Sequence, residues 1–100
     1  MKADSKAFLQ LRDLAASKGF ALTLELDCPE QPILWLEAPE GTLLGSHGIH
    51  QAMIYTAFPK EDKPWLWSEA RVSLVEELAW GPIPCVDPDC DWCRSEVGHD

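Results

Sequence analysis

Positive charge is scarce in this chain. Of its 100 residues, 8 are Lys or Arg against 17 Asp or Glu, giving a net charge of −9 and an isoelectric point near 4.6. Binding to a phosphate backbone depends on Lys and Arg displacing counterions, so general nucleic-acid binding is not expected. Attraction to an anionic membrane surface is not expected for the same reason. Long apolar runs are also missing, and nothing approaches the roughly 18 residues that a bilayer span requires. The opening Met1-Lys2-Ala3-Asp4-Ser5-Lys6 leads into a mixed-polarity pattern and lacks the apolar core of an export signal. The expected compartment is therefore the reducing cytoplasm, and cysteines are read first as thiols or metal ligands. Catalytic signatures are absent as well. There is no Gly-x-Ser-x-Gly elbow, no phosphate-cradling loop and no His-Glu-x-x-His helix. His47 and His50, which flank Gly48-Ile49, read as solvent-exposed loop and strand-start residues, and no enzyme is expected.

What is present is ordinary globular material, 46% hydrophobic and 25% charged, enough for one domain with a modest core. Phe8, Leu11, Leu14 and Ala15 recur at helical spacing behind a possible cap at Asp4 or Ser5, with Gly19 as the stop. Phe20, Leu22, Leu24 and Leu26 then alternate with Ala21, Thr23, Glu25 and Asp27, the pattern of a half-buried strand. A turn with Pro29 and Pro32 leads to a second strand over 33–38, and the two should form an antiparallel hairpin. For residues 48–58 a strand is favoured over a helix, because Ile, Tyr, Thr and Phe are frequent there. A second helix is expected over 65–80, with Trp67, Ala70, Leu74 and Leu78 inward. Glu69, Arg71, Glu76 and Glu77 should form its solvated face, and Gly81-Pro82 should end it. Residues 82–100, rich in Pro, Cys and Asp, read as an irregular tail. The expected fold class is α+β in the order α-β-β-β-α. A small antiparallel sheet is packed by two helices over residues 1–81, and the tail at 82–100 docks on that domain.

This element order resembles the double-stranded RNA-binding domain. That fold places bases where its helix and strand loop meet phosphates, whereas here the matching stretches are Trp67-Ser68-Glu69 and Pro29-Glu30-Gln31. The functional positions do not carry over.

The tail holds the most specific chemical pattern, Cys85 followed by the pair Cys90-Asp91-Trp92-Cys93, with His99 beyond. A Cys-x2-Cys pair can set two thiolates on one tetrahedral zinc, with Cys85 as third ligand and His99 or Cys28 as fourth. Plain thiols and a disulfide are the competing readings. Redox catalysis is disfavoured, because a reactive thiol needs nearby positive charge and these sit among Asp87, Asp89 and Asp91 with only Arg94 to oppose them.

Negative charge also has an address. Residues 20–59 contain Glu25, Asp27, Glu30, Glu37 and Glu40 and no Lys or Arg. Five tryptophans are more than one small core readily hides. Trp65 and Trp67, expected on one helical turn, should not both face inward. Trp80 and Trp92 are read as covering the tail. Trp35 and Trp65, with the acids Glu25, Asp27, Glu30, Glu37 and Glu40, are the expected contacts for a partner protein with a basic surface. In size and charge, though in no motif, the chain resembles small acidic phage proteins that inhibit host nucleases, CRISPR complexes or polymerases. The expected function is therefore non-enzymatic protein binding, plausibly inhibitory through a nucleic-acid-binding surface. A zinc-stabilised accessory subunit is the alternative, and a small thiol- or His-dependent enzyme is a third, disfavoured reading.

Overall fold

In the computed structural model, residues 6–27, 31–86 and 89–90 are described. Helix α1 spans Lys6–Ser17 and buries Phe8, Leu11 and Ala15. It stops at Gly19, whose φ of +85° is a conformation that costs a side chain strain. The alternation that follows forms β1, Ala21–Glu25, and after a turn comes β2, Ile33–Glu37. They pair antiparallel, with Thr23 opposite Trp35 and Leu24 opposite Leu34. A short strand β3, Thr42–Leu44, precedes β4, Gln51–Thr56, so the favoured strand reading of that region holds. A 3-10 turn, Pro59–Glu61, leads to helix α2, Trp67–Trp80, and then to strand β5, Pro82–Pro84.

The main sheet has the order β1-β2-β4, wholly antiparallel, with a bulge between Leu34 and Trp35. Both helices pack on one face of it. The core there joins Phe8, Leu11 and Ala15 of α1 to Leu22, Leu24, Leu34, Leu36, Ala52 and Tyr55 of the sheet and Ala70 and Leu74 of α2. The α+β class and the antiparallel sheet are as the pattern implied.

Two expectations are corrected. The stretch after Gly81 is not irregular, because Pro82-Ile83-Pro84 pairs antiparallel with β3, Leu43 lying opposite Ile83. Two prolines remove donors but still permit extended backbone, and the partner strand accepts the one donor left. The second helix starts at Trp67, two residues later than expected, and this releases Trp65 from the helical turn. Trp65 and Trp67 both pack against the core, edge to face at 5.2 Å, with Trp65 also edge-on to Tyr55 at 5.0 Å. The premise that one of them must face outward therefore fails.

Candidate metal centre

The loop between β3 and β4 is tightly wound. Leu44 O accepts from the N–H of His47 at 3.1 Å and of Gly48 at 2.7 Å, while Leu44 N–H donates to Ile49 O at 2.7 Å. Gly48 takes φ +68° to make the return. Two residues later, His50 O accepts from Ala38 N–H at 2.8 Å, which ties the imidazole's backbone to the end of β2. From the other side α2 grips the same loop through Glu77. Ser46 Oγ donates to one carboxylate oxygen, and His47 Nε2 lies 3.3 Å from the other. Glu77, expected on a solvated face, is instead a clamp with only 17% of its side chain exposed.

The opposite wall of the site is the β5 segment. Gly45 N–H donates to Gly81 O at 3.1 Å and Cys85 N–H donates to Gly41 O at 3.0 Å, so both ends of the β3–β5 ribbon are pinned. This brings Cys85 beside the β3–β4 loop, and Cys90 follows. The Nε2 of His50 is 3.1 Å from Cys90 Sγ, and the ligand atoms of His50, Cys85 and Cys90 all lie within 4.8 Å of one another. All three residues are half-buried, and both cysteines stand as thiols. Zinc bonds of about 2.3 Å to sulfur and about 2.0 Å to nitrogen place tetrahedral ligand atoms roughly 3.3–3.8 Å apart, so modest side-chain rotation closes the trio on one ion. The three residues are close enough to hold a metal.

Cys85 and Cys90, expected as ligands, are thus brought together. Cys93 and His99, the other two expected ligands, and Cys28 lie outside the described residues, as does Glu30. The histidine in the described trio was missed. His50 looked like an exposed residue because no cysteine lies near it in the sequence, and only the ribbon pairing reveals what faces it. Two signals could have found it: a histidine at the start of a strand, and a Cys-rich segment in need of a nitrogen ligand.

The expected partner-binding residues are only partly gathered. Leu34 and Leu36 are fully buried beneath the helices, which turns Trp35 to the other face of the sheet. There the register lines up Thr23, Trp35 and Met53 across three strands. Glu37, two residues along β2, pairs with Ala21 and Gln51, and Glu25 pairs with Ile33 at the other end. Glu25, Trp35 and Glu37 are half-buried and share this outer face, while Asp27 and Glu40 are exposed beyond the strand ends. Trp65 does not belong to this group. It is half-buried by Tyr55 and Trp67, and its Nε1 is enclosed with no hydrogen-bond partner among the described residues. Trp80 is 67% exposed, and most of the tail it was expected to cover lies outside the described residues.

Comparison with protein families, with curated proteins and with solved structures found no match. Among the described residues no helix is long and apolar enough to cross a membrane.

Proposed function

We propose that this protein is a zinc-stabilised, non-enzymatic binding domain whose C-terminal segment is locked by the metal onto the β3–β4 loop. The observation that carries this reading is the convergence of His50, Cys85 and Cys90, with His50 and Cys90 separated by 40 positions in the chain. Two thiolates and an imidazole are a borderline-soft donor set that suits zinc over the hard cations. The Cys90-x2-Cys93 spacing supplies a third thiolate by sequence, completing a closed Cys3His set of the structural kind. A closed set leaves no position for substrate, which supports a structural role over catalysis. The test is zinc competition against a chromogenic chelator. Wild-type protein should retain one equivalent, and Cys85→Ser and His50→Ala should release it at far lower chelator concentration. Equal release from all three proteins would reject the ligand set.

The outer sheet face supports a protein with a basic surface as the partner. Trp35 and Met53 offer apolar contact between Glu25 and Glu37, and residues 20–59 carry no Lys or Arg to oppose a basic surface. Where that basic surface is a nucleic-acid groove, occupancy excludes its ligand, which is the inhibitory form of this reading. Charge reversal at Glu25 and Glu37 should abolish capture of the partner while the fold and bound zinc persist. Capture at full strength, without salt dependence, would rule this face out.

A further inference from the structure

Helix α2 is apolar on two sides, and only one of them is used by the core. Ala70 and Leu74 are buried, and Trp67 and Leu78 pack beside them. On the opposite side Val72 is 58% exposed, Val75 is 45% exposed, and Ala79 is exposed as well. These three positions have the i, i+3, i+7 spacing of a coiled-coil seam, which gives them heptad places a, d and a. Solvent gains nothing from such a line, and apolar surface that continues into Trp80 and into Ile83 of β5 marks an interaction surface.

The flanking charges identify the occupant. With Val72 at place a, Arg71 takes place g and Glu76 takes place e, and both are exposed. In a parallel two-stranded seam a g residue meets the e residue five positions further along the other helix. Arg71 of one copy then meets Glu76 of the second copy, and the dyad repeats this contact on the other side. An antiparallel pair over the same seam brings Glu76 towards Glu76 of the second copy and sets Arg71 opposite the apolar Trp80 end, so the complementary contact is lost. The β5 edge adds no competing sheet extension, because Pro82 and Pro84 have no N–H and the one remaining donor, on Ile83, is directed at β3.

We infer that two copies of this chain associate through parallel α2 helices, with Val72, Val75 and Ala79 in the seam and Arg71–Glu76 pairs at its flanks. The surface borders the outer sheet face, since Val72 and Met53 line one groove, but it uses neither the proposed metal ligands nor Glu25 and Glu37, so the inference stands or falls independently of the function proposed above.

The test is sedimentation velocity over a range of concentrations in about 0.15 M salt, where a Debye length of about 8 Å screens the net −9 on each copy. The wild-type mass should rise with concentration from 11.2 kDa towards twice that value. Val75→Glu should remain monomeric, and its unchanged circular dichroism should show that the exposed site leaves the fold intact. Arg71→Glu alone and Glu76→Arg alone should each dimerise about tenfold more weakly, as two exposed attractions become repulsions. Mixed in equal amounts, those two variants should form a heterodimer, since both flanks are then complementary. A wild type that stays monomeric at every concentration would overturn the inference. So would a dimer that these variants leave unchanged, or a mixture that fails to recover association.

Discussion

Replacing Gly45 by alanine should be harmful, and the sign is informative. Gly45 is not in the left-handed region, so its backbone accepts a side chain without strain. Considered through the unfolded chain alone, Gly→Ala at such a site stabilises by about 0.4–1 kcal/mol. Space opposes this. A Cβ on Gly45 would lie 2.6 Å from the backbone oxygen of Gly81 and 3.0 Å from that of Trp80, where ordinary contact begins near 3.4 Å. Neither obstacle is a flexible side chain, so the ribbon must open by several tenths of an ångström. Overpacking costs about 1–3 kcal/mol, and the strained Gly45 to Gly81 hydrogen bond adds about 0.5–1.5 kcal/mol. The net loss is about 0.5–4 kcal/mol, centred on about 2 kcal/mol, which lowers Tm by roughly 10–15 °C at the centre of that range in a domain of this size. Gly81 leads directly into β5 and Cys85, while Gly45 leads into the loop that carries His50. The same opening therefore pulls two ligands apart, and zinc tolerates only about 0.2 Å in its bond lengths. Affinity should fall by roughly 10–100-fold, as for other supports of a metal site. Thermal unfolding and zinc competition on Gly45→Ala read the two effects separately. A variant with a raised Tm and unaltered zinc affinity would refute the close approach and its link to the metal centre.

Other consequences are as direct. Removing zinc with a chelator should lower Tm by roughly 20 °C, because a clip across 40 positions restricts the unfolded chain by about 4 kcal/mol; Cys85→Ser should abolish the chelator response. Glu77→Ala should free the loop held through Ser46 and His47 and weaken zinc binding, with secondary structure by circular dichroism unchanged. Leu74→Ala, at a fully buried site on α2, should cost about 2–5 kcal/mol in denaturant unfolding. Burial, and then the hydrogen bond that the Tyr55 hydroxyl donates to Glu69 at 2.9 Å, hold that phenol above its ordinary pKa of 10.0. The unfolded chain then releases this proton first, so stability is intact below pH 10 and declines as pH rises through the folded value. Tyr55→Phe should lack that decline, measured by urea unfolding across alkaline pH.

The first half of the fold was legible because its signals are local. Phe8, Leu11 and Ala15 recur within one helix, and Leu22, Leu24, Leu34 and Leu36 alternate within two neighbouring strands, so each pattern is complete in a short window. The β3–β5 ribbon was not legible for the opposite reason. Pro82-Ile83-Pro84 offers one backbone donor and no periodicity, and it becomes a strand only through Thr42–Leu44, about forty residues earlier. The metal centre divides along the same line. Cys85 and Cys90 are visible by spacing, whereas His50 reaches them only through that non-local pairing. Trp65 was misplaced by two residues of helix boundary, enough to exchange a surface role for a packed one. The outward line Val72, Val75 and Ala79 was hidden because α2 is apolar on opposite sides, and the inward residues absorbed the whole periodic signal.

Metal stoichiometry tests the central claim most directly. Protein purified without chelator and examined by native mass spectrometry and elemental analysis should carry one zinc per chain. Cobalt substitution should give tetrahedral ligand-field bands with thiolate charge transfer that Cys85→Ser and His50→Ala diminish. Less than half an equivalent of zinc in wild-type protein, with no cobalt–thiolate absorption, would contradict the account.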